Sequence, residues 1–282
     1  MRYAEYLPGP EFASIVERFW LLEGTAAGAP DAIIPDGRVE LVFHYGGTFW
    51  RHLGWGQTGV RPGSDPGLTP LRERQPASLL VGQMVEPVVL APEGESGVAA
   101  IRLMPAAVRT VLGFRAHEIA GRFVELDAVC PSTGELRDAL AGAGGDAARI
   151  RLLERWLRRI VRRATRPQMD AAVSAIVRSG GRAAIDRIAA RTGIGVRQIE
   201  RQFHDEVGLG PKTFARIVRL QSALSRIRQG RTLCDVAIAC GYYDQAHMAR
   251  DFRQLAAMSP AVWQAHSGEL APLFVSSASG LS

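Results

Sequence analysis

Apolar positions along the chain follow two different rhythms. Up to about residue 103 they come in short runs: FWLLE at 19–23, LVFHY at 41–45, LLVGQM at 79–84, VVLA at 88–91 and VAAIRL at 98–103. Turn material such as Pro35-Asp36-Gly37 and Glu93-Gly94-Glu95 separates them, and runs of this length predict strands. Residues 46–77 are rich in Gly and Pro without periodicity and predict a long loop or irregular lid. From residue 106 the spacing turns helical, with short stretches at 106–112, 116–123 and 132–140. Residues 149–163 (RIRLLERWLRRIVRR) then place Ile150, Leu153, Trp156, Leu157, Ile160 and Val161 on one stripe and arginines on the rest. Such a helix packs on the front half, dimerises, or lies on a membrane surface; the first is the simplest reading. Thr165-Arg166-Pro167 should break it, because the residue before proline disfavours the helical region.

The back half repeats itself. Ile188-Ala189-(x3)-Gly193 returns as Val236-Ala237-(x3)-Gly241, shifted by 48 residues. The run Ile199-Glu200-Arg201-Gln202-Phe203 returns as Met248-Ala249-Arg250-Asp251-Phe252, and Pro211 and Phe214 match Pro260 and Trp263, now shifted by 49. One inserted residue between Gly241 and Asp244 accounts for the change. Each copy reads as a helix-turn-helix: a small alanine where two helices approach, then a glycine for the tight left-handed turn. The following helix buries Ile199 and Phe203, or Met248 and Phe252. Its other face carries Arg197, Gln198, Glu200 and Arg201 in the first copy, and Gln245, Ala246, His247 and Arg250 in the second. Arg and Gln carry paired donors and acceptors that match guanine and adenine edges in the major groove. Asp244 is a good N-cap for the second helix, Gly195 a weaker one for the first. Between the copies, Pro211 opens a helix over 212–228, long enough at 1.5 Å per residue to span roughly 25 Å. The two candidate recognition helices could then reach successive major grooves about 34 Å apart.

Charge sharpens this division. The chain of 282 residues has a net charge of +6, distributed as −6 over 1–148, +6 over 149–177 and +7 over 178–266, with Glu269 beyond. An acidic front and a basic back fit a nucleic-acid partner for the back half alone. Lys212 is the only lysine, so the arginine preference is chain-wide.

Chemistry of other kinds is thinly supported. Gly54-Trp55-Gly56-Gln57-Thr58-Gly59 has dinucleotide-loop spacing, yet Val60-Arg61-Pro62-Gly63 follows where a helix would have to open. His44, His52 and His117 are scattered and read as structural or surface residues. Cys130, Cys234 and Cys240 form no CxxC pair, and Cys234 and Cys240 read as buried thiols. No catalytic residue, cofactor or metal is expected. Phe203, Phe214, Phe252 and Trp263 read as core. No window is apolar enough for a membrane span and the first residues lack a signal-peptide layout, so a cytoplasmic location is expected.

Two motifs resemble a known family. Gly208-(x2)-Pro211-(x2)-Phe214-x-Arg216-(x2)-Arg219-Leu220-(x2)-Ala223 and Val236-Ala237-(x3)-Gly241-Tyr242-x-Asp244-Gln245-x-His247-(x2)-Arg250-x-Phe252 are similar to the AraC/XylS transcription regulators. The resemblance covers about residues 175–265. It implies a C-terminal all-α domain of about seven helices with two helix-turn-helix units. The family's usual base-contacting places fall on Arg197, Glu200 and Arg201, then on Gln245, Ala246 and Arg250. Ala257 stands where the family usually has Gly, Trp263 for Tyr, Gln264 for Arg, and Ala246 for a small polar residue. Tyr6-Leu7-Pro8-Gly9, Ile34-Pro35-Asp36-Gly37, Glu40-Leu41-Val42-Phe43, Val81-Gly82-Gln83 and residues 102–105 resemble an N-terminal domain found in front of such units.

The expectation is therefore a two-domain protein. Residues 1–165 form an α+β, β-rich and barrel-like domain followed by helices, for effector sensing or dimerisation. Residues 170–266 form the DNA-binding domain, and 267–282 a tail. The expected partners are double-stranded DNA, RNA polymerase, a small-molecule effector and a second copy of the chain, with no membrane; activator is the role the resemblance implies. Two alternatives are an enzyme or repair-type domain with a DNA-binding appendage, and an architectural DNA binder without effector.

Overall fold

A computed structural model of the chain describes residues 1–26, 30–53, 71–130, 132–162, 167–265 and Leu270. The glycine-rich segment 54–59, residues 165–166 of the expected helix break and all of the tail except Leu270 lie outside the described residues.

Among the described residues, strands β1 (Arg2–Tyr6), β2 (Val16–Ala26), β3 (Asp31–Ile33), β4 (Val39–His44), β5 (Trp50–His52), β6 (Arg72–Arg74), β7 (Ser78–Val81), β8 (Val88–Ala91), β9 (Gly94–Leu103) and β10 (Phe123–Glu125) build the front half. They form two sheets instead of a closed barrel: an antiparallel one ordered β1-β2-β9-β4-β7-β10, and a smaller one ordered β3-β8-β5-β6. The larger sheet is covered on both faces, which is why its strands read as continuous apolar runs. Phe19, Leu21, Leu41, Phe43 and Ile101 point to a core shared with helices, while Trp20, Leu22, Val42, Val98 and Ala100 point to the second sheet. The helices on that first face are α1 (Val108–Leu112), α2 (Thr133–Ala141) and α3 (Asp146–Ile160). Helix α3 buries Leu153, Trp156 and Leu157, with Trp156 set edge-on to Phe43 at 5.1 Å between ring centroids. The arginine-rich helix thus packs on the front half through its apolar stripe.

Two sequence expectations for this half need correction. The stretch 46–77 was expected to be irregular, but its described part contains β5 and β6, which pair with each other, β5 also pairing with β8. Residues 116–123 were expected to be helical; a single 3-10 turn at Ala116–Glu118 is followed by β10, recruited by pairing with β7. In both places a partner strand distant in sequence overrides a weak local signal.

The back half contains seven helices among the described residues: α4 (Pro167–Arg178), α5 (Ile185–Thr192), α6 (Val196–Glu206), α7 (Pro211–Arg228), α8 (Leu233–Ala239), α9 (Gln245–Ala256) and α10 (Pro260–Gln264). Helix α7 has two working faces. Phe214, Ala215 and Val218 join Ile188, Ala189, Ile199 and Phe203 in one core, and Ile217, Leu220, Leu224 and Ile227 join Val236, Met248, Phe252 and Trp263 in another. The front half contributes to both, through Ala106 in the first and Ile34 in the second. Of the thiols, Cys130 and Cys240 are buried but Cys234, at the start of α8, is exposed, contrary to expectation. Leu270 returns to the front half, where it is buried beside Trp20 and its amide donates to Asp31 Oδ2 at 2.7 Å. Among the described residues no helix is long and apolar enough to cross a membrane.

Candidate nucleic-acid interface

Each helix-turn-helix is built the same way from its sequence. Helix α5 ends at Gly193 with φ of 68°, and α8 is followed by Gly241 with φ of 73°, both in the left-handed region that a side chain would strain. Ile194 and Tyr242, next in each turn, are buried and seat it. Helix α6 then buries Ile199 and Phe203, and α9 buries Met248 and Phe252. Asp244 caps α9 by accepting from the His247 amide at 2.6 Å; Gly195 provides no side-chain cap for α6.

The outward faces carry the expected side chains. Arg197, Gln198, Glu200 and Arg201 on α6 are exposed, as are Gln245, Ala246 and Arg250 on α9. His247 is half-buried instead. Its ring lies edge-on to Tyr242 at 5.3 Å, and its Nδ1 accepts from the Tyr243 amide at 3.4 Å, so the turn itself holds the imidazole. Tyr243 occupies the one-residue insertion and is 93% exposed. Sequence reasoning passed over it, although an aromatic at an inserted position in a turn was the available signal. Helix α9 is fixed to α7 by a charged fork: Arg216 Nε and Nη2 donate to Asp251 Oδ1 at 3.1 and 2.7 Å. Ala257, after α9, has φ of 51°, the left-handed conformation for which glycine is better suited.

The front half holds a cavity between its two sheets, enclosing about 720 Å³ including the part open to solvent. Its walls are apolar, among them Trp20, Ile33, Phe49, Val88 and Leu90, with Asp36, Arg38, Glu40, His44 and Gln75 as the polar groups. Buried Arg102 donates to Glu40 Oε1 at 2.8 Å and lies 3.8 Å from Asp36, so two carboxylates share one guanidinium. Burial pushes both of those carboxyl groups up, Arg102 opposing it. Glu17 differs: burial acts upward on it too, but its pairing with Arg38 prevails and holds its carboxyl below the usual range.

The residues 34–37 touch both halves. Ile34, Pro35 and Asp36 line the cavity. Gly37, with φ of 77°, leaves room for Phe214 of α7: a Cβ there would lie 2.9 Å from the Phe214 ring.

Comparison with known proteins matches this division. Residues 188–266 match a helix-turn-helix domain family, and residues 4–125 match a domain of unknown function, DUF6597. The transcriptional regulator MtrA of Neisseria gonorrhoeae is 28% identical over 86 residues, which are 30% of this chain and 29% of that protein. The chain thus spans under a third of that relative's length. A probable AraC family transcriptional regulator from Rhodopseudomonas palustris is 30% identical over 36% of this chain and 96% of its own, with a TM-score of 0.32. The chain belongs to the AraC family of transcription regulators. Over 87% of this chain and 97% of its own, ToxT from Vibrio cholerae is similar at 9% identity and a TM-score of 0.44; another structure of it, at 9% identity, a TM-score of 0.44 and coverage of 94% and 97%, is described as bound to an unsaturated fatty acid.

Proposed function

We propose that this AraC-family chain is a sequence-specific, effector-responsive regulator that reads two neighbouring half-sites in DNA. Residues 170–266 supply the DNA-binding domain and 1–165 the sensing domain. The observation that carries the reading is duplication: two helices of matched construction, each after a left-handed turn glycine, present Arg and Gln side chains outward from a common helix. Arg197, Gln198, Glu200 and Arg201 meet one major groove, and Gln245, Ala246, His247 and Arg250 the next. Arg201 and Arg250 read bases, Ala246 makes only an apolar contact, and Tyr243, in the turn before α9, meets the backbone. Helix α7, at 18 residues about 27 Å long, sets the spacing.

Effector response is supported by the cavity, whose wall at residues 34–36 continues into the turn seated on α7. A small, largely apolar molecule with a hydrogen-bonding group fits that lining. Recruitment of RNA polymerase, implied by the family resemblance, is read by run-off transcription from a mapped promoter. The deciding experiment is genome-wide mapping followed by footprinting. Two protected half-sites about one helical turn apart support the proposal; protection without sequence preference would favour an architectural binder.

A further inference from the structure

One cluster lies outside both the DNA-facing surface and the cavity. His117, in the 3-10 turn of the front half, stacks on His204 of α6, with ring centroids 4.2 Å apart and planes inclined by 24°. His117 Nδ1 is buried without a hydrogen bond, 3.4 Å from Asp205 Oδ1. One ligand atom from each of His117, His204 and Asp205 falls within 4.8 Å of the others. All three side chains remain reachable from solvent.

We propose that His117, His204 and Asp205 form an interdomain site for one divalent transition-metal ion of the zinc class. Two imidazoles and a carboxylate are the donors such an ion prefers, with water in a fourth position. In a tetrahedral site with bonds of about 2.1 Å, neighbouring ligands stand roughly 3.4 Å apart. The His117–Asp205 pair is already at 3.4 Å, and rotation of the exposed His204 side chain closes the remainder. The backbone beneath is held close. Gly208, with φ of 89°, lies where a Cβ would come within 3.0 Å of the Ala116 carbonyl, and Arg109 Nη1 donates to buried Glu206 at 3.4 Å beside it.

The ion would clamp the last turn of the first candidate recognition helix to the front half. Metal binding and DNA affinity are then reciprocally linked. That consequence rests on the proposed function; the metal site itself does not.

The test uses the full chain, stripped with chelator and titrated with Co²⁺ and then Zn²⁺. Visible absorption should saturate at one Co²⁺ per chain and be displaced by Zn²⁺. His204→Ala, on the exposed helix surface, and Asp205→Asn should each weaken binding by about tenfold or more. Both should keep the wild-type circular dichroism spectrum, and Zn²⁺ should raise the unfolding temperature of the wild type alone. No saturable signal, or one that both substitutions leave unchanged, overturns the site. Zn²⁺ should also alter the wild-type affinity for mapped DNA but not that of His204→Ala. A chain that binds the ion but recognises no DNA site would defeat the functional reading and leave the metal site standing.

Discussion

Gln221, midway along α7, donates from Nε2 to the carbonyl of Pro35 at 2.8 Å, joining two residues 186 positions apart in the chain. The donor is buried, and Gln83 supports the same turn by donating to the Gly37 carbonyl at 3.0 Å. Removing a donor from a buried carbonyl costs about 1–3 kcal/mol. Gln221→Ala should therefore lower stability by that amount, read by urea unfolding. A loss within error would show that water replaces the amide without cost.

Acid should weaken the front half through His44. Burial lowers this imidazole from its ordinary 6.5 to about 4, so the folded protein holds it neutral where the unfolded chain binds a proton. Stability from this group is complete above pH 6.5 and falls as pH drops towards 4, by on the order of 3 kcal/mol. Unfolding free energies at pH 7, 5.5 and 4.5 measure the slope. His44→Gln should flatten it across that window, and an unchanged slope would place the titrating group elsewhere.

Ala257 offers a stabilising change. Its φ of 51° strains a residue with a Cβ, so Ala257→Gly should raise stability by about 1 kcal/mol. Thermal unfolding decides it, and a drop would mean that the added chain entropy outweighs the relieved strain.

On DNA, Arg201→Ala and Arg250→Ala should each cost about 1–3 kcal/mol at the mapped site and relax its sequence preference. The first helix of a helix-turn-helix crosses the DNA backbone, so Arg187→Ala, at an exposed position of α5, should weaken cognate and scrambled sequences alike and reduce the salt slope by about one. Fluorescence anisotropy across a salt series separates the two behaviours. Equal losses on both sequences for Arg250→Ala would remove it from base readout.

What could be read from sequence follows the range of the forces involved. The paired glycines 193 and 241 were legible because a left-handed turn needs a residue type that is visible locally. Strands β2, β4 and β9 were legible because both of their faces are buried. Strands β5 and β6 were not: Trp50-Arg51-His52 and Arg72-Glu73-Arg74 carry charge and little burial, and only their pairing makes them strands. His117 and His204 gave no joint signal, since nothing local announces that a 3-10 turn will meet the end of α6. Gly37 was legible as a turn, but not as the seat of Phe214.

Ile34 and Ala106 leave the front half to complete the cores of the two helix-turn-helix units. The back half is therefore completed by the front, and Leu270 of the tail fills the front half in turn. Unfolding curves followed at Trp156 and at Trp263 should superimpose, because each half loses part of its interior when the other melts. Exchanging the front half for an unrelated one would take Ile34 and Ala106 out of those two cores, so such a chimera should melt at a lower temperature than the intact chain.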